Sequence, residues 1–235
     1  MHKQLTLIIL LLMFCFIITP VYSQRSNDDY ALTPQVILKA QKDETLYSEK
    51  KKNENIRASY NFHEIYAAQA IKNEAMSICE QVGNKATVQN CMEHANFIFT
   101  VTNLAAGNCD LLQEPFKNLC NGLSNGCNTI KSNRNMCEAF KNNDINGITR
   151  ASNAPTWAFA PGAGIINPDN ARHTLAIYYG SKNNSADVCE KYVSNNPVRR
   201  AACRILFSNG MSLADFNRIV DNLINQYKTS EGSKK

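Results

Sequence analysis

Along most of this chain the large apolar residues recur at three, four or seven positions, the spacing that gathers them on one face of a helix. The first such stretch runs from about Ile56 to Gln81, with Ile56, Tyr60, Ala67, Ile71 and Ile78 on one side, and Gly83-Asn84 ends it. A second, from about Ala86 to Ala105, carries Val88, Met92, Phe99 and Leu104 and stops at Gly107-Asn108. Beyond it the pattern shortens. Leu111, Leu112, Phe116 and Leu119 predict two short helical pieces, while Asn121-Gly122 and Asn125-Gly126 read as turns. The period returns after Asn167-Pro168, a helix start with Leu175, Ile177 and Tyr178 inside and Gly180 just past the end. Ser185 opens a helix with Val188, Cys189, Tyr192 and Val193, and Asn196-Pro197 opens another with Val198, Ala202, Cys203, Ile205 and Leu206. Ser212, with Asp215 three positions on, has the form of a capping box. It precedes an amphipathic helix whose apolar face is Leu213, Phe216, Ile219, Val220, Leu223, Ile224 and Tyr227.

Four stretches fall outside this pattern. Residues 1–23 have the charged start (His2, Lys3), apolar middle (Leu7 to Ile18) and small-residue exit (Val21, Ser23) of a secretory signal peptide. The apolar run is short for a membrane span and Pro20 closes it, so no transmembrane segment is expected after cleavage. Residues 24–55 are polar, with Lys50-Lys51-Lys52 among acids, and read as a flexible leader or a poorly packed helix. From 141 to 167 no helical pattern is visible, and this long loop carries the only tryptophan, in Thr156-Trp157-Ala158-Phe159. A long irregular connection in a compact domain is commonly functional, so Trp157 and Phe159 are candidate ligand-binding residues; a core plug is the equal alternative. Residues 229–235 read as a frayed tail, which leaves 56–228 as one helical domain.

Cysteine placement turns this set of helices into an architecture. Cys15 leaves with the signal peptide, and the eight that stay form four adjacent pairs, each straddling a turn: Cys79 and Cys91, Cys109 and Cys120, Cys127 and Cys137, Cys189 and Cys203. Residues equidistant from the turn of an antiparallel hairpin face each other, which is the condition for a bridge. Nearest-neighbour pairing is one of many connectivities open to eight cysteines, and the turn residues at the four midpoints favour it. An even count behind an export signal predicts structural disulfides and an oxidising compartment, secreted or periplasmic. Ile78-Cys79-Glu80, Met136-Cys137-Glu138 and Val188-Cys189-Glu190 share an apolar–Cys–Glu core, readable either as a diverged repeat or as a local preference around stapled helices.

Charge and chemistry change the picture little. The formal charge of +5 is mild and scattered, which gives no electrostatic case for nucleic acid. Beyond the signal peptide the histidines are His63, His94 and His173; a metal site needs at least two of them to converge, and no HExxH or CxxC spacing brings that about. Neither metal nor cofactor is therefore expected. His94, three residues after Cys91, invites comparison with secreted phospholipases A2, but no Asp follows it and no glycine-rich calcium loop precedes it, so His94 reads as structural or surface. Asn142-Asn143-Asp144-Ile145-Asn146-Gly147 lacks the acids of a calcium loop at its first and twelfth places, Asn142 and Asn153, and reads as an Asx-rich turn. The chain has no nucleophile elbow, phosphate loop or dinucleotide fingerprint.

The expectation is a mainly α protein of disulfide-stapled helical hairpins with one long irregular loop. Its expected function is that of an exported binding or structural protein whose partner is an unknown protein or cell-envelope ligand. The alternative is a secreted or periplasmic hydrolase acting on cell-wall glycan with paired carboxylates, for instance Glu74 or Glu93 with Asp110.

Overall fold

In the computed structural model, residues 34–152 and 168–232 are described. They form ten α-helices and three 3₁₀ helices, and no strand occurs among them. The helices are α1 Pro34–Ser59, α2 His63–Lys72, α3 Lys85–Ala106, α4 Phe116–Asn125, α5 Arg134–Asn142, α6 Ile145–Ser152, α7 Pro168–Asn183, α8 Asp187–Val193, α9 Pro197–Phe207 and α10 Leu213–Gly232. The 3₁₀ segments, Met76–Gln81, Cys109–Leu111 and Cys127–Thr129, each hold the first cysteine of a pair. The signal-peptide reading and the Trp157–Phe159 segment lie outside the described residues. The chain divides into two compact units, Met1–Tyr47 and Ser48–Lys235. Within the first, the described residues belong to α1, and residues 41–47 are exposed. The second contains the rest of α1, every later helix and all four cysteine pairs.

The long helix expected from Ile56 to Gln81 is three elements. Asn61 adopts a left-handed conformation (φ 58°), and the Phe62 amide reaches back five residues to the Arg57 carbonyl, a Schellman-type cap that ends α1. Glu74 (φ 52°) ends α2 in the same way, the Ala75 amide binding the Ala70 carbonyl. Each break redirects the chain and lets the short helix between them be enclosed. In α2 every residue from Glu64 to Ala70 is buried, with alanines at 67, 68 and 70 allowing close helix approach on several sides. Helix α2 packs between α3 and α9, and α7 packs on α3.

Ties at both ends fix α2 against α9. Glu64, in the first turn of α2, pairs with Arg199 in the first turn of α9. Lys72, the last residue of α2, donates to the carbonyls of Ile205 and Ser208 and to the Ser208 hydroxyl, where α9 ends. The two helices therefore run parallel although more than a hundred residues separate them, an arrangement no hairpin symmetry predicts. A cation over the last carbonyls of a helix also complements its dipole.

Two glycines expected at turns lie inside helices. A Cβ on Gly180, within α7, would sit 2.3 Å from the Phe207 ring of α9. One on Gly122, within α4, would sit 2.4 Å from Ile130 Cδ1 and 3.2 Å from Cys137 Sγ. Both positions serve close packing, not chain reversal. The loop expected from 141 is likewise shorter, because α5 reaches Asn142 and α6 runs from Ile145. Helix α6 buries Ile148 completely, and Tyr179 and Tyr192 lock the α5–α6 corner by donating to the Phe140 carbonyl and to Asn143 Oδ1. At the far end, α10 continues through Thr229 to Gly232, so residues expected to fray are helical.

Candidate functional site

Three helices remote in sequence deliver one histidine each to the same place. His63 is the first residue of α2, His94 lies midway along α3, and His173 is in the second turn of α7. His94 sits in the buried stripe Cys91, His94, Ile98 and Val101, so the packing of α3 turns it inward. The Nε2 atoms of His94 and His173 are 3.1 Å apart. The His63 ring stands edge-on to His94 at 5.9 Å between centroids. One ligating atom from each of His63, Glu64 and His94 lies within 4.8 Å of the others. Phe97 forms an aromatic wall against His94 and His173, and a cavity of about 130 Å³, to which Asn61 and Thr174 also contribute, lies among these side chains.

Beside the histidines is a buried ion pair. The Glu64 side chain is 4 % exposed and that of Arg199 is 14 % exposed. Arg199 Nε donates to both carboxylate oxygens (3.1 and 3.2 Å), while Nη2 donates to Oε1 at 3.2 Å and to Asn170 Oδ1 at 2.7 Å. Asn196 places the arginine by capping α9: its side chain accepts from the Arg199 amide. Burial raises the Glu64 carboxyl above its ordinary value, with Arg199 opposing.

The same burial keeps the imidazoles neutral. His63 is lowered to about 4, first by desolvation and then by Arg199, with Glu93 opposing. His173 is lowered to about 3 by desolvation, Arg199 and His63. His94 falls well below its ordinary range, first through desolvation and then because His173, His63 and Arg199 stand beside it. Charging any ring here would place a cation in a low-dielectric site already holding a guanidinium. At neutral pH the site therefore presents ring nitrogens carrying lone pairs, able to accept a proton, a hydrogen bond or a metal ion.

The sequence-predicted residues are distributed differently. The eight cysteines expected to pair are joined as adjacent pairs, Cys79–Cys91, Cys109–Cys120, Cys127–Cys137 and Cys189–Cys203, with Cα separations of 5.4–5.7 Å. The carboxylates considered for hydrolysis are not gathered: Glu74 is an exposed helix terminus, Asp110 is a surface partner of Lys117, and Glu93 accepts from Gln89 on the outside of α3. Asn143, in the stretch compared with a calcium loop, is the left-handed cap of α5 (φ 55°). Local spacing hides the convergence of the histidines, since they lie far apart along the chain. The signal that could reveal it is their position on buried faces, for a histidine inside an apolar stripe must find its partner across a helix interface.

The four bridges are compatible with an oxidising compartment, and no helix among the described residues is long and apolar enough to cross a membrane. Comparison with protein-family models, with curated proteins and with solved structures found no match, so the chemistry of the site itself carries the functional argument.

Proposed function

We propose that this is an exported binding protein, a disulfide-stapled helical frame that holds a small ligand in the cavity among His63, His94 and His173. One observation carries the reading: every histidine beyond the amino-terminal leader comes to a single cavity, from three different helices. Burying two neutral imidazoles and an ion pair is costly unless their polar atoms are well used, and structural cores fill such space with aliphatic side chains at less cost. A cavity of about 130 Å³ suits an ion or a molecule of a few heavy atoms, not a glycan or peptide. The apolar leader and the four bridges support an extracellular or periplasmic setting.

The test is nuclear magnetic resonance of protein labelled with ¹⁵N in its histidine rings, titrated with fractions of small molecules and ions from the surrounding medium. Ligand binding should move the ring signals of His63, His94 and His173 together. If no fraction moves them, the cavity is structural and the reading fails.

A glycan hydrolase is the second reading, and one observation favours it. Glu138 and Asp144 line a groove of about 410 Å³ formed by α5 and α6, though Arg134 and Arg150 pair with them. Degradation of purified cell-wall glycan that disappears in Glu138→Gln would establish it. Equal inertness of the wild-type protein would remove it.

A further inference from the structure

We infer that the ligand of this cavity is a single divalent transition-metal ion, of the zinc, copper or nickel type, bound by ring nitrogens of His63, His94 and His173. The inference rests on the binding reading above and names its ligand.

Two of the nitrogens are spaced as such an ion requires. Metal–nitrogen bonds of about 2.0–2.1 Å in tetrahedral array set ligand nitrogens roughly 3.3 Å apart. The His94 and His173 Nε2 atoms are 3.1 Å apart, close to the edge of such a tetrahedron. A ring nitrogen of His63 lies within 4.8 Å of one of His94, so closure on a shared ion requires the His63 ring to move inward. A plain hydrogen bond between His94 and His173 would satisfy Nε2 of each ring but gives His63 no role. Shared coordination uses all three rings.

Ligand chemistry selects the class of ion. Neutral imidazoles suit borderline transition metals, whereas calcium and magnesium require oxygen. Every cysteine beyond the leader is bridged, so thiolates do not compete and imidazole is the strongest donor on offer.

Arg199 disfavours a cation here as it disfavours a protonated ring, and its pairing with both oxygens of Glu64 offsets part of that charge. Three nitrogens leave a fourth coordination position on the cavity side, open to water or a small exchangeable anion.

The experiment uses the full, disulfide-intact protein after treatment with a chelator. Cobalt(II) is added as a spectroscopic stand-in, followed by zinc(II). One equivalent of cobalt should give the visible bands of tetrahedral coordination, zinc should abolish them, and zinc should shift the ring signals of all three histidines. His63 is half-buried at the start of α2, so His63→Gln should keep the helical circular dichroism of the wild type while binding cobalt at least about tenfold more weakly. Should that variant fail to fold, the wild-type ring signals decide. Unchanged cobalt affinity in a folded His63→Gln, or zinc that leaves the three signals in place, overturns the metal site. If zinc is inert while another fraction of the medium moves those signals, the metal inference falls and the binding reading survives. If nothing moves them, both fall.

Discussion

Asparagine serves this chain as a backbone residue more than as a polar surface. Asn61, Asn143 and Asn184 all take the left-handed conformation at helix ends, and after each the next amide returns five residues to a helix carbonyl. Asn84 and Asn196 do the converse job, accepting from the first amides of α3 and α9. Asn tolerates positive φ because its short amide bonds locally, while a longer side chain pays about 1–2 kcal/mol there. Glu74 is the exception among these caps, with φ 52° and nothing gained from its side chain. Glu74→Gly should therefore stabilise the fold by about 0.5–1 kcal/mol after the entropy of glycine is subtracted. A urea titration showing no gain would mean that the carboxylate serves another purpose. Arg199 predicts the opposite kind of change. Arg199→Ala leaves the Glu64 carboxylate buried and unpaired, at about 3–5 kcal/mol, whereas the double variant Glu64→Gln with Arg199→Met should recover much of that loss. A single variant as stable as the wild type would show that water reaches Glu64.

Among elements, the bridges compensate for helices that are too short to persist alone. Helices α4 and α5 have ten and nine residues, and the 3₁₀ turns beside them have three each. Isolated helices of that length are marginal in water. Each bridge closes a loop with a sequence separation of 10 to 14 residues, which restrains the unfolded chain by about 2–3 kcal/mol. Mild reduction should thus release amide protection between Cys109 and Cys137 first, before α2, α3 and α7. Hydrogen exchange after reduction checks the order, and simultaneous loss across all helices would contradict it. Of the three apolar–Cys–Glu segments, one is 3₁₀ and two are α, and Cys137 closes its loop where Cys79 and Cys189 open theirs. Their likeness is local and does not mark a repeated unit. Between α7 and α9, Gly180 sets the separation: Gly180→Ala should cost about 1–3 kcal/mol by pushing against Phe207, visible as a lowered melting temperature.

For the molecule as a whole, the histidine site sets how stability responds to acid. His63 at about 4 and His173 at about 3 lie below the ordinary value of 6.5, and His94 is lowered too. As pH falls through 6.5 the unfolded chain takes up protons that the folded chain refuses. Stability is therefore fully present above the unfolded value and is lost downward, at about 1.4 kcal/mol per pH unit for each histidine until its folded value is reached. Burial of Glu64 acts in the opposite sense, so the comparison is with His63→Gln, whose slope below pH 6.5 should be shallower. Urea titrations from pH 7.5 to about 5 give the slope. Equal, flat profiles for the two proteins would mean that the rings are solvated.

Whatever depends on near neighbours is legible in the chain alone. Helical period sets the class and most helix positions, while cysteines placed symmetrically about turns set the staples, since both follow from distances along the chain. Ser212 and Asn196 mark helix starts for the same reason: a cap bonds an amide three residues away. Contacts between remote segments, by contrast, exist only once the helices have packed. Gly122 and Gly180 read as breaks because their sequence does not show the side chains pressed against them. The parallel seating of α2 and α9 rests on Glu64–Arg199 and Lys72–Ser208, two ties with no trace in local pattern. The meeting of His63, His94 and His173 is of the same kind: three helices must pack before three lone pairs share one cavity.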